Sequence, residues 1–153
     1  MNDLGCGYGA LCAFLLKKKK HFFYSGVDFS EKMIQIANRV HRRKNCCFKV
    51  GGASALDMAD YTVASGIFNV RMNFGRAEWE KHVFSSISSM DRASRKGFAF
   101  NVLSSYSDRH RMRKDLYYAD PALYFDHCKR KYSKNVALLH DYGLYEFTLI
   151  VRK

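Results

Sequence analysis

The chain reads as an α/β protein: helices and strands alternate along a doubly wound, mainly parallel sheet that ends in an antiparallel hairpin. Three observations carry this. Strand-like and helix-like segments follow one another along the chain, and such alternation places a helix in each crossover between parallel strands. A glycine-rich turn, Gly5-Cys6-Gly7-Tyr8-Gly9, stands between the first strand and the first helix, where small residues permit a tight turn and a close approach of bare backbone. At the far end, Val136 to His140 and Leu144 to Arg152 are two β-rich runs joined by Asp141-Tyr142-Gly143, a connection short enough to demand antiparallel pairing.

The elements follow in order. Asn2 to Gly5 forms the first strand, Tyr8 to Lys18 the first helix and His21 to Asp28 the second strand. Ser30 is suited to cap the next helix, whose Met33, Ile34, Ala37 and Val40 recur at helical spacing and are expected to face the sheet. Cys46 to Val50 makes the third strand and Thr62 to Phe68 the fourth. A helix from Arg76 to Met90 follows, with Trp79, Val83, Ile87 and Met90 as its buried stripe, which reads as core and not as a ligand box. Phe98 to Leu103 is the fifth strand. Asp120-Pro121 then pairs a capping acid with proline at the first helical position, opening a helix that runs to Tyr132.

At 153 residues, 48% hydrophobic and 15% aromatic, the chain supports one domain, 1–153, with a real core. Its longest apolar run, Ala10 to Leu16, falls far short of the roughly 20 residues that span a bilayer, so membrane insertion is not expected. The motif strand begins right after Met1, which leaves no room for a signal peptide and points to the cytoplasm. Five cysteines, an odd number with no two-residue-spaced pair, read as buried free thiols in a reducing compartment. Six histidines without ligand spacing predict no metal. The net charge of +12 would suit an anionic partner. However, Lys17 to Lys20, Arg39 to Lys44, Arg92 to Lys96 and Lys129 to Lys134 all fall near helix ends, where cations complement the helix dipole. In a doubly wound sheet those ends lie opposite the side that binds ligands.

Nineteen residues after Gly9 stands Asp28, in Gly26-Val27-Asp28-Phe29-Ser30, where an acid closing the second strand can grip a ribose. Gly5, Gly7 and Ala10 also satisfy the dinucleotide fingerprint with an acid about 20 residues on, so spacing does not separate the two cofactor types. Asp3, two residues before the first glycine, tips the balance, because a dinucleotide-binding strand is usually apolar there. Asp3, the three glycines and Asp28 resemble motif I and the acidic second motif of class I S-adenosylmethionine-dependent methyltransferases. The terminal hairpin is characteristic of that family, and Thr62 to Asn69 is similar to its strand-four segment in the small-molecule branch. No segment resembles the Asn/Asp-Pro-Pro-Tyr/Phe motif of enzymes that methylate amino groups of bases or glutamine.

The resemblance implies a Rossmann-like methyltransferase fold and S-adenosyl-L-methionine as cofactor. It places Asp3, Gly5, Cys6, Gly7, Gly9, Asp28, Phe29, Gly52, Ala53 and Ser65 against that cofactor, with Asp28 on both ribose hydroxyls. Two departures stand out. Gly52 occupies the place where the family usually offers an acid to adenine, leaving that base to backbone or to Ser54. Family members also precede strand one with more strand and with helices that cover the pocket, so an N-terminally shortened form with an open pocket and weak binding is expected.

Methyl transfer from a sulfonium is an in-line displacement in which holding nucleophile and methyl together matters most, and a general base is optional. Acceptor contacts belong beyond strands four and five: Asn69, Arg71 and Asn73, then Tyr106, Asp108, His110, Tyr117 and Tyr118. Asn69, His110 and Tyr118 are the candidates for catalysis, although His110 reads more readily as a surface histidine. Arg109, Arg111, Arg113 and Lys114 form the one dense basic cluster on the ligand side and favour an anionic small molecule or glycan precursor. A nucleic-acid methyltransferase and an inactive binding module remain as alternatives. The charge geometry and the missing Pro-Pro-aromatic segment speak against the first. Nothing in the sequence states the oligomeric state.

Overall fold

A computed structural model describes residues 1–18 and 21–153; Lys19 and Lys20, part of the first basic run, lie outside the described residues. The elements are β1 (Asn2–Leu4), α1 (Ala10–Lys18), β2 (Tyr24–Asp28), α2 (Glu31–Val40), β3 (Cys46–Val50), β4 (Ala59–Ala64), α3 (Arg76–Arg92), β5 (Ser94–Leu103), α4 (Pro121–Lys131), β6 (Asn135–Leu139) and β7 (Glu146–Arg152). They build one seven-stranded sheet in the order β3-β2-β1-β4-β5-β7-β6. β1 to β5 run parallel, and β7 pairs antiparallel with both β5 and β6. The expected fold class is therefore the observed one. Strand order reverses at β1, and the crevice that this reversal opens at the carboxyl edge positions the site.

Several boundaries differ from the sequence reading, each for a local reason. α1 starts at Ala10 and not Tyr8, because Gly9, at φ 88°, still belongs to the turn. β4 occupies Ala59–Ala64 instead of Thr62 to Phe68: the chain turns at Gly66, and Phe68 reaches the core from a loop, fully buried. β5 begins four residues early, at Ser94, and β2 three residues late, at Tyr24. The hairpin connection spans residues 140–145, longer than the three-residue turn expected. On α2 only Ile34 and Ala37 are buried, while Met33 and Val40 face solvent.

Both capping expectations hold. The Ser30 hydroxyl accepts from the Met33 amide, and the Asp120 carboxylate accepts from Ala122 N at 2.9 Å with Pro121 opening the helix. Each such cap contributes about 1 kcal/mol. Two apolar layers hold the sheet. Val83, Ile87 and Met90 of α3 and Tyr124 and Cys128 of α4 pack on Val27, Phe98, Phe100, Phe147 and Leu149. On the other face, Cys12 of α1 and Ile34 and Ala37 of α2 cover Tyr24 and Phe48. Farther along that face Tyr61, Val63, Ala99 and Ile150 line an open concavity of about 570 Å³. All five cysteines are free, but only Cys6, Cys12 and Cys128 are buried; Cys46 is half-buried and Cys47 exposed. Among the described residues, no helix is long and apolar enough to cross a membrane.

Asp3 sits in the middle of β1, in register with Gly26 and Val63, and is 4% exposed. Its carboxylate accepts the Tyr24 hydroxyl. Burial raises its pKa above the ordinary 3.8, and the Tyr24 hydrogen bond only partly counters that rise. A carboxyl raised in the folded state contributes fully below its unfolded value and loses that contribution as pH climbs through the folded value. Asp3→Asn, which keeps an acceptor for Tyr24, should therefore melt above wild type at pH 7, with the gain gone at pH 3.8 and below. Thermal melts across that window check it. A second position tests the hairpin: a Cβ on Gly97 would stand 2.3 Å from the Val151 carbonyl oxygen on β7. Gly97→Ala should cost about 1–3 kcal/mol, read as a lower urea midpoint at unchanged slope.

Candidate functional site

The site grows from the turn after β1. Gly5 N and Cys6 N donate to the Val27 carbonyl at 2.7 and 3.1 Å, and Gly9 N donates to Cys6 O at 3.0 Å, folding the turn over the end of β2. Asp28 fastens it there. One carboxylate oxygen accepts from Gly7 N and the other from Ser30 N, both at 2.8 Å. At Gly7 φ is 53° and nothing lies within 4 Å of where a Cβ would stand, so bare left-handed backbone faces open space. Gly5 serves a different end: a Cβ there would meet the Ile67 side chain at 2.0 Å, so its absence lets the loop after β4 close on the turn.

The remaining expected cofactor residues fall into two groups. Phe29, 76% exposed, Gly52 and Ala53 come together beyond β2 and β3, with the Phe29 ring 2.4 Å from where a Gly52 Cβ would be. Ser65 is exposed just past β4. Asp3 and Cys6 instead lie beneath the turn: Asp3 engages Tyr24, and burial pushes the Cys6 thiol up to about 12. Gly9 packs on His41 and Phe48.

Beside Phe29 the structure shows a cleft of about 370 Å³, walled by Val70, Met72, Phe74, Trp79 and His82. The sequence reading missed it. Trp79, read there with the buried stripe of α3, does pack against the core, but it is only half-buried and also forms part of the cleft wall. Its ring stacks on Phe74 at 6.0 Å and lies 5.1 Å from His82, and its indole N–H donates to Phe68 O at 2.9 Å. The available signal was position, since the first turn of a helix that follows a parallel strand stands at the ligand edge.

Of the acceptor candidates, several are occupied in holding loops. Asn69 Oδ1 accepts from Leu103 N at 3.0 Å, and its carbonyl accepts from Tyr117 N at 2.8 Å. Arg71 donates to three backbone carbonyls. Tyr117 is buried, its hydroxyl bonded to Glu80 at 2.8 Å and Tyr124 at 3.0 Å, and burial raises its pKa well above the usual phenol value. Asp108 accepts the Tyr145 hydroxyl. Tyr118, half-buried, accepts the Arg113 amide at 3.1 Å. Asn73, Tyr106 and His110 are exposed, His110 within the single turn Arg109–Arg111. In the basic cluster Arg113 is paired with Asp115 at 2.5 Å, while Arg109, Arg111 and Lys114 face solvent. The larger basic runs occupy helix carboxyl ends, Lys17 and Lys18 on α1 and Lys129 to Lys131 on α4, away from this edge. Among the described residues no three side chains cluster to hold a metal ion.

Residues 2–95 match a family described as "Methyltransferase domain". A protein of Mycobacterium tuberculosis (strain ATCC 25618 / H37Rv), Rv1506c, whose name assigns it provisionally to the methyltransferases, is 54% identical over 155 residues, covering 100% of this chain and 92% of that one. Two solved structures show the same fold at 15% identity. Magnesium protoporphyrin IX methyltransferase (ChlM) from Synechocystis PCC 6803 with bound SAH matches with a TM-score of 0.73 over 99% of this chain and 73% of that one. Human N-acetylserotonin methyltransferase in complex with SAM matches at 0.68 over 100% and 47%. With the acid-and-glycine turn, Asp28 and the reversed last strand in place, the chain belongs to the class I S-adenosylmethionine-dependent methyltransferases.

Proposed function

We propose that this enzyme methylates an anionic small molecule or glycan precursor, and that its cofactor lies along the carboxyl edge of β1, β2 and β3. The observation that carries the placement is the Asp28 carboxylate, which holds the Gly7 backbone bare toward solvent. A carboxylate oxygen takes more than one hydrogen bond, so Asp28 can keep Gly7 and Ser30 while accepting from ribose hydroxyls. The cofactor supplies a methyl already activated on a sulfonium. Gly5 and Gly7 then border its methionine portion, and Phe29, Gly52 and Ala53 border the adenine. The apolar cleft beside Phe29 suits a flat base, with Trp79 in its wall. Gly52 offers backbone there in place of the carboxylate usual in the family.

The protein's part in transfer is orientation. Arg109, Arg111 and Lys114 are exposed cations on the acceptor side, Arg111 with its guanidinium 5.9 Å from the centre of the Tyr145 ring, and this supports an acceptor carrying phosphate or carboxylate. His110, in the same turn, is placed to take a proton from a hydroxyl acceptor, and Tyr118, whose oxygen already accepts from Arg113 N, is left a proton to donate.

Trp79 is the only tryptophan in the chain, so its fluorescence reports occupancy of the cleft directly. Titration with S-adenosylhomocysteine should quench or shift the emission of the wild type. Asp28→Ala should weaken that binding about tenfold or more, since each charge-assisted hydrogen bond contributes roughly 1.5–3 kcal/mol. NAD binding without any response to S-adenosylhomocysteine would overturn the placement. For the acceptor, methyl transfer to phosphorylated or carboxylated compounds should exceed transfer to their neutral counterparts, and Arg109→Ala with Arg111→Ala should narrow that gap.

A further inference from the structure

The loop between β4 and α3 and the loop between β5 and α4 are laced together by backbone and by one side chain. Val70 and Leu116 form an isolated antiparallel bridge, Tyr117 N donates to Asn69 O at 2.8 Å, and Arg71 N donates to Asp115 O at 3.0 Å. The Arg71 guanidinium completes the seam. Nη1 donates to Phe74 O at 2.5 Å, Nη2 to Lys114 O at 2.6 Å and Nε to Leu116 O at 3.3 Å. Three donors of one planar group thus serve carbonyls from both loops. Phe74 belongs to the cleft beside Phe29, while Lys114 ends the cationic segment. Between Arg71 and Phe74, Met72 is the one non-glycine residue with positive φ among the described residues, at 51°, and it too lines the cleft. A conformation of that kind persists only where the surroundings enforce it. Arg71 does so by closing residues 71–74 on themselves, through its side chain and through the Phe74 N to Arg71 O bond of 3.0 Å.

We propose that Arg71 is a positioning residue that couples the cofactor cleft to the acceptor loop. This rests on the cofactor placement above. A ligand that packs against Val70, Met72 and Phe74 stiffens the turn that presents the Phe74 carbonyl, and the shared guanidinium transmits this to Lys114 and Leu116. The cations from Arg109 to Lys114 are thereby held where the acceptor arrives. Coupling of this kind is reciprocal, so loosening the acceptor loop must weaken cofactor binding by the same factor. Lysine cannot substitute fully, because a single ammonium does not reproduce the fork that reaches three carbonyls.

The test needs no acceptor. Wild type, Arg71→Ala, Arg71→Lys and, as a remote charge control, Arg95→Ala are titrated with S-adenosylhomocysteine by Trp79 fluorescence. The same proteins are then digested briefly with trypsin with and without that ligand, and cleavage after Arg109, Arg111, Arg113 and Lys114 is followed by mass spectrometry. In wild type and Arg95→Ala, the ligand should slow cleavage of this loop. In Arg71→Ala the loop should be cut faster, the ligand's protection should vanish, and the Kd should rise about fivefold or more, the lower end of ordinary allosteric coupling. Arg71→Lys should fall between, and it decides the matter if circular dichroism shows that the alanine variant fails to fold. Equal affinity and equal protection in the Arg71 variants would overturn the coupling and leave the cofactor placement standing. Failure of wild type to bind the ligand would overturn both.

Discussion

The Asp28 carboxylate is the interaction on which the site depends. Its two oxygens accept amides from two different segments, Gly7 in the turn after β1 and Ser30 at the head of α2, and so tie the ends of two adjacent parallel strands to one side chain. Ser30 in turn caps α2 through Met33 N. Loss of this one carboxylate would leave two backbone donors seeking partners and would release the turn whose exposed backbone makes the site. The Ser30 amide is exposed and the Gly7 amide only part-buried, so water can take both and the loss falls chiefly on the local order of the turn.

Behind that edge, β1 is only three residues long yet central, bonded to β2 on one side and β4 on the other. Its middle residue buries a carboxyl against Tyr24, at a position where an apolar side chain would pack with less penalty. Asp3 therefore exchanges stability for a polar group directly beneath the glycine turn. On the same half of the sheet α1 and α2 cover one face over Tyr24 and Phe48. Toward β4, β5 and β7 only the α3 and α4 face is closed, and Tyr61, Val63, Ala99 and Ile150 remain accessible on the other.

The loops past β4 and β5 illustrate how backbone satisfaction governs side-chain roles. A polar residue in such a loop suggests substrate chemistry, but loops also carry carbonyls and amides that must find partners. Asn69 and Arg71 meet that need by joining the two loops, and Tyr117 turns inward, its hydroxyl donating to the Glu80 carboxylate and bonded to the Tyr124 hydroxyl. Asn73, Tyr106 and His110, with Arg109, Arg111 and Lys114, stay exposed at the surface of these loops.

The alternation of elements, the glycine turn, Asp28, both helix caps and the reversed last strand were all legible in the sequence, because each rests on local chemistry: periodicity, left-handed glycine, capping geometry and the need of a hairpin to return. Local chemistry also misled in places. Thr62 to Phe68 has the composition of a strand, yet the chain turns at Gly66, and Trp79 keeps the helical spacing of core residues and packs against the core, yet it lines a cleft as well. Only the tertiary structure decided that Phe29 and Trp79 line one cleft, that Ile67 closes on Gly5, and that Arg71 binds a loop 43 residues away. These are contacts between segments far apart in the chain, set by sheet order and loop packing, and no spacing along the sequence encodes them.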